Sequence, residues 1–198
     1  MKTPRMATAV QAGLGAVLLA LLMLPLLRHA LETTMSLHML AQFPALLLAG
    51  ALLGTALPQR LRRRLSVWNA LGITGLTACA LFLAVLMIPR VLDLALVHTR
   101  VEFAKVTTLL FAGAVLPSSW RAAGLVVQAF FLGNILPMTI IVGTLYQDSL
   151  LRLCIAYRLD DQRQLGLALV WLAILAGVAW LLHVVRCLNT SVSYPPQP

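Results

Sequence analysis

The residues best equipped for chemistry gather in a few short segments. Met35-Ser36-Leu37-His38-Met39 places two thioethers and an imidazole within five residues. On a helix Met35 and Met39 are i and i+4 and share a face, and His38 lies beside it, i+3 from Met35. Thioether and imidazole donors together suit soft copper(I) better than hard cations. The bland use of the same residues is apolar filling by methionine and a hydrogen-bonded packing role for histidine. His98 and Glu102 are i and i+4, so a helix could turn both toward one ligand, whereas Arg90 and Asp93, at i and i+3, suit a simple ion pair. Asp160-Asp161-Gln162 precedes the last apolar stretch. Acids there counter the dipole of a starting helix and cap it.

Other chemistry is absent from the pattern. There is no Walker loop, G-x-G-x-x-G, G-x-S-x-G or H-E-x-x-H, so the chain is read as a non-enzyme. Its three cysteines, Cys79, Cys154 and Cys187, contain no C-x-x-C pair. The spans assigned below put them in mid-membrane, outside and inside, too far apart for a disulfide.

The elements that must position these residues follow from composition. Of 198 residues 61% are hydrophobic and 11% charged, with a mean hydropathy of +0.92. A soluble domain carries roughly 45–50% apolar and about 25% charged residues, so a soluble globule and a disordered chain are both excluded. Six continuous apolar stretches stand out: Ala7–Leu27, Leu37–Leu57, Ser66–Ile88, Ala104–Trp120, Ala122–Leu145 and Leu165–Val185. Each approaches the ~20 residues of a membrane-crossing helix, and none alternates as a barrel strand does. The expected fold is all-α, a polytopic transmembrane bundle of about six spans with outer interfacial helices. Residues 1–188 form one domain and 189–198 a disordered, Pro-rich tail. The first stretch is too long for a signal peptide and ends in Leu27-Arg28-His29 without a cleavage site, so it is read as a retained span.

The net charge of +9 lacks the basic, aromatic-interleaved face that nucleic acid requires, and no nucleic-acid partner is expected. The charge reads instead as an orientation signal. The compact cluster Arg60, Arg62, Arg63 and Arg64 in a short loop marks the cytoplasmic side. That places both termini in the cytoplasm, in a cell inner membrane, and all six acids, three of four histidines and five methionines on the outer half. The outer segments Pro89–Phe103 and Gln147–Gln164 both read as amphipathic interfacial elements.

Two segments resemble a known family. LHMLAQFPALLLAG (Leu37–Gly50) is similar to an H-M-x-x-H segment followed by apolar residues, a proline and a glycine. LDDQRQLGLALVW (Leu159–Trp171) is similar to a D-Q-x-x-x-G motif leading into a late span. VHTRVEFAKVTTLLFAGAVL between them is similar to a His-rich helix ending in small residues. The family is that of CtaG-type cytochrome c oxidase assembly factors, multi-span membrane proteins associated with copper supply to the oxidase. The resemblance covers about half the chain. His38 and Met39 match the H-M pair, and Asp161, Gln162 and Gly166 match the later motif. Gln42 stands where the family has its second histidine, and Glu102 where another is expected beside His98.

The resemblance implies a copper-handling assembly factor at the outer face. Met35, His38, Met39 and His98 would hold copper, and Glu102, Asp161 and Gln162 would shape the mouth. The alternative is a non-catalytic accessory or structural subunit of a larger membrane complex, such as a respiratory oxidase or a copper monooxygenase. Small residues including Gly50, Gly54, Gly113 and Gly124 would allow close helix contact. A third reading, haem b or quinone binding, would use His38 and His98 as a facing pair. The lipid bilayer is a partner in all three.

Overall fold

Where a run of apolar residues is long enough, the chain is helical, and where proline or glycine interrupts it, the chain turns. A computed structural model describes residues 4–149 and 151–192. Among the described residues there is no strand. The first helix, α1 (Pro4–Met23), stops at an extended Leu24. Pro25, whose missing N–H is harmless at a first turn, starts α2 (Pro25–Leu31) at 76° to it. The stretch expected to cross as Ala7–Leu27 is therefore broken near its end.

A short helix, α3 (Met35–Leu37), is capped by the Thr34 hydroxyl. It runs through a π-helical stretch (His38–Gln42) into α4 (Phe43–Gly54), which has Pro44 in its first turn. Proline has no N–H to return to the preceding turn and its ring crowds the carbonyl four residues back. The wider π turn lies against that point.

The Arg60–Arg64 segment, expected as a loop, is a helix, α5 (Gln59–Trp68), set at 87° to α6 (Ile73–Leu86). The third apolar stretch accordingly starts at Ile73 and not at Ser66. The corner between them is made by Gly72, at φ +72°, where a Cβ would meet the Ser119 carbonyl oxygen. A short helix, α7 (Pro89–Val97), follows, as the amphipathic pattern predicts. It passes through an extended His98 into α8 (Thr99–Ala122). The expected fourth stretch, Ala104–Trp120, lies inside this longer helix, and Pro117 does not end it. The last two helices are α9 (Leu125–Asp148) and α10 (Leu159–Val192).

Four helical segments are long and apolar enough to cross a membrane, or up to six if each of the two bent pairs is one span. The protein is an all-α membrane-spanning bundle. Residues 189–192, expected as part of a disordered tail, belong to α10, which runs on to Val192; residues 193–198 lie outside the described residues.

Two tight helix pairs build the core. A Cβ on Gly50 would run into the Leu110 carbonyl oxygen, and one on Gly113 into the Leu47 carbonyl oxygen, so α4 and α8 are in reciprocal backbone contact. Gly143 and Gly166 do the same for α9 and α10. Gly50, Gly54 and Gly113 are thus used within the chain, whereas Gly124 faces open space. Between α6 and α9 an apolar cleft of about 740 Å³ opens along Leu76, Ala80, Phe130 and Ile135.

The expected amphipathic element at Gln147–Gln164 is not a helix throughout. Ser149 and residues 151–158 form a connection in which several backbone donors are taken by side chains. Leu153 N–H donates to Gln162 Oε1, while Ile155 and Ala156 N–H donate to the two oxygens of Asp93. Side-chain acceptors of this kind compete with helix formation. Asp93 is therefore a clasp on this loop and not, among the described residues, the partner of Arg90.

A candidate functional site: a lysine-centred polar clamp

At the end of the bundle where α2, α3, α7 and the 149–158 connection meet, the side chain of Lys105 is buried. It enters from α8, one turn after Glu102 on the same face. A lysine and a glutamate inside an apolar helix are expensive unless they are paired, and here they are. Lys105 Nζ lies 2.7 Å from Glu102 Oε2, 2.9 Å from His38 Nε2, 3.0 Å from Gln42 Oε1 and 3.6 Å from Glu32 Oε1. The ammonium thus hydrogen-bonds His38 and Gln42 and is ion-paired with Glu102, whose buried carboxylate oxygens have no hydrogen-bond partner among the described residues.

An ammonium has no lone pair to offer, so His38 Nε2 accepts from it and His38 Nδ1–H donates to the Tyr157 hydroxyl, 2.6 Å away. Gln42 Nε2 donates to Glu32 Oε1 at 3.4 Å. Arg28, on the half-exposed rim, closes the cluster through Glu32 Oε1 at 3.1 Å and Glu102 Oε1 at 3.6 Å. Two cations and two carboxylates balance. Phe43 packs edge-on against the His38 ring at 5.5 Å.

The π-helical stretch explains how His38 and Gln42 both reach the same ammonium. At the wider π pitch, residues four apart stand more nearly above one another than they do in an α-helix. Around the clamp the connection is held in the same way. Gln162 is buried, with Oε1 on Leu153 N–H and Nε2 donating to the Tyr146 carbonyl at 3.2 Å. Cys154 lies against the Pro89 carbonyl, and burial, then Asp93, pushes its thiol up to about 12. Burial, then Glu32, also pushes the Tyr157 phenol up.

Of the residues singled out from sequence, Met35, His38, Met39, Glu102 and Gln162 are buried at this end, and Asp161 is half-buried in the first turn of α10. His98 is not with them. Its backbone begins α8 and its side chain is exposed, so His98 and Glu102 do not turn toward one ligand. Nor do His38 and His98 make a facing pair for haem.

As placed, the proposed copper set is not one ligand shell. Both nitrogens of His38 are engaged, and a positive charge stands where a metal at Nε2 would be. Among the described residues no group of three or more His, Cys, Asp and Glu side chains is arranged to hold a metal ion. The residues that sequence reasoning passed over are Lys105, Glu32, Arg28 and Tyr157. Lys105 carried a signal, since a charge within an apolar stretch three residues from Glu102 calls for a partner. Tyr157, 119 residues from His38, carried none.

The fold and the clamp define a polytopic membrane bundle with a buried, charge-balanced polar centre. Compared with known proteins, the chain matches no family model, no curated protein and no solved structure. The resemblance to CtaG-type assembly factors rests on the residues quoted above.

Proposed function

We propose that this chain is a non-catalytic accessory subunit of a larger membrane complex, built on a bundle like that of the copper-handling assembly factors. In this reading the position of the metal is taken by the chain's own lysine. The observation that carries it is the seating of Lys105 Nζ among Glu102, His38, Gln42 and Glu32 at 2.7–3.6 Å. A tethered ammonium supplies the positive charge that the carboxylates require and saturates the imidazole, so the cluster holds elements together without a bound ion. It ties α2, the π-helical stretch, α8 and the 149–158 connection into one unit. The α6–α9 cleft and a smaller cavity between α4 and α8 have linings that include no clamp residue, which favours a clamp over a solute site. The non-enzyme reading and placement in an inner membrane, with the clamp outside and both termini in the cytoplasm, belong to the same proposal.

Copper handling is the second reading, favoured by the burial of Met35, His38 and Met39 within five residues. It requires Lys105 to withdraw from His38. Purification of the full chain from its own membranes in mild detergent, with metal analysis and copper(I) titration, separates the two. The accessory reading predicts partner subunits at fixed stoichiometry and no stoichiometric copper. One equivalent of copper(I), lost in His38→Ala, would replace it with the second reading.

A further inference from the structure

The other end of the bundle carries a helix that packs little against the rest of the described residues. On α5, Leu61, Leu65 and Trp68 fall at i, i+4 and i+7 and form one apolar stripe. All three are exposed, Trp68 by 80%. Arg60, Arg63 and Arg64 stand outside that stripe, exposed, and no acidic side chain pairs with them among the described residues. The segment Gln59–Trp68 contains four arginines and no acid.

Its direction is fixed by the corner that follows. Asn69 Oδ1 accepts from Gly75 N–H at 3.0 Å, and its Nδ2 donates to Ser119 Oγ at 2.7 Å, tying the start of α6 to α8. Thr74 Oγ1 donates back to the Trp68 carbonyl at 2.9 Å. With Gly72 in its left-handed conformation, these bonds hold α5 at 87° to α6. α6 packs on α8, which is long and apolar enough to cross the membrane, so a helix at 87° to α6 runs along the membrane surface. There, an apolar stripe flanked by unpaired arginines matches acyl chains below and phosphates beside it.

We propose that α5 is a recognition surface for anionic phospholipid headgroups, with Leu61, Leu65 and Trp68 in the acyl boundary and Arg60, Arg63 and Arg64 on lipid phosphates. Charge complementarity selects anionic over zwitterionic lipid, and the locked corner presents the arginines ready-oriented. This goes beyond orientation, because a preference for one headgroup class is a binding property of three named side chains.

The test is native mass spectrometry of the full chain released from nanodiscs of equal POPG and POPC, counting the lipids retained. The wild type retains POPG over POPC. The Arg60→Gln/Arg63→Gln/Arg64→Gln variant loses that selection, each arginine being worth on the order of fivefold. Removing three exposed arginines from the opposite end, Arg152→Gln/Arg158→Gln/Arg163→Gln, leaves it unchanged. Equal selection in wild type and α5 variant, or an equal fall in both variants, would overturn the proposal. If the α5 variant does not fold, raising salt from 0.05 to 0.5 M on the wild type replaces it. Screening then lowers the POPG:POPC ratio, and a ratio that does not move with salt overturns the proposal.

Discussion

At one end of this bundle Arg28, Glu32, Glu102 and Lys105 are drawn into a buried space where each charge lies within 4 Å of an opposite one. At the other, Arg60, Arg63 and Arg64 stand on the surface with no acid to meet them among the described residues. The same residue classes therefore do opposite work. Buried charge is bound to neighbours in the fold, and losing one member strands the rest. Exposed charge on α5 is paired with no acid among the described residues and is free to meet the membrane. Net charge, which sums the two, describes neither.

The comparison can be broken most sharply at Lys105. Lys105→Met leaves two buried carboxylates short of their main cation, and removing one partner of a buried pair costs about 3–5 kcal/mol. We expect loss of the folded protein, or a large fall in Tm by thermal unfolding in detergent. The double variant Glu102→Gln/Lys105→Met, which restores charge balance, is expected to recover most of it. An unaltered Tm in Lys105→Met would show that the clamp is not what holds this end.

Next in size is Gly113→Ala, whose new methyl would meet the Leu47 carbonyl and push α4 from α8. Overpacking of this kind costs about 1–3 kcal/mol, while Gly133→Ala, which meets nothing within 4 Å, is the neutral control in the same unfolding assay. Tyr157→Phe deprives His38 Nδ1–H of its acceptor, at about 1–3 kcal/mol for a buried donor left unsatisfied. Tyr157 also gives the clamp an alkaline limit. Its phenol is raised above the ordinary value, so the stability it lends is complete below the unfolded pKa of ~10. That stability is lost as pH climbs through the higher folded value. A wild-type Tm that falls above about pH 10, with a smaller fall in Tyr157→Phe, is the expected result.

At the small end, Arg63→Gln on the exposed helix should move Tm by no more than ~0.5 kcal/mol equivalent, although it weakens lipid selection. Thiol alkylation extends the contrast between surface and interior. With its thiol pushed up to about 12, Cys154 should react at pH 8 far more slowly than the exposed Cys187. Mass spectrometry of the modified peptides would show this, and equal rates would mean that the 149–158 connection opens.

The membrane class and the order of the spans were legible because continuous apolar runs leave a helix no alternative in lipid. The breaks were less so. Pro25 and Gly72 bend the chain within or beside apolar stretches, and hydropathy does not register a bend. Arg60–Arg64 reads as a loop when charge is equated with exposure, although arginine is a good helix former. In the site, His38, Glu102 and Gln162 were found from their types. Their partners were not, because the contacts Lys105–Gln42 and His38–Tyr157 join residues 63 and 119 positions apart, and spacing rules reach only one or two turns. His98 failed for the complementary reason. Four residues after it on an α-helix is the same face only if both residues are helical, and His98 is extended.

The π-helical stretch carries a consequence for how this chain can change. One surplus residue is accommodated between His38 and Gln42. Deleting it would restore ordinary helix, but would rotate everything before it by about 100° relative to α4. Thr34, Met35 and α2 would swing off the axis on which Arg28 and Glu32 meet Lys105. Length there is as fixed as side-chain identity, whereas the 55–58 connection between α4 and α5, which holds no clamp residue, is where insertions and deletions among relatives of this chain should accumulate.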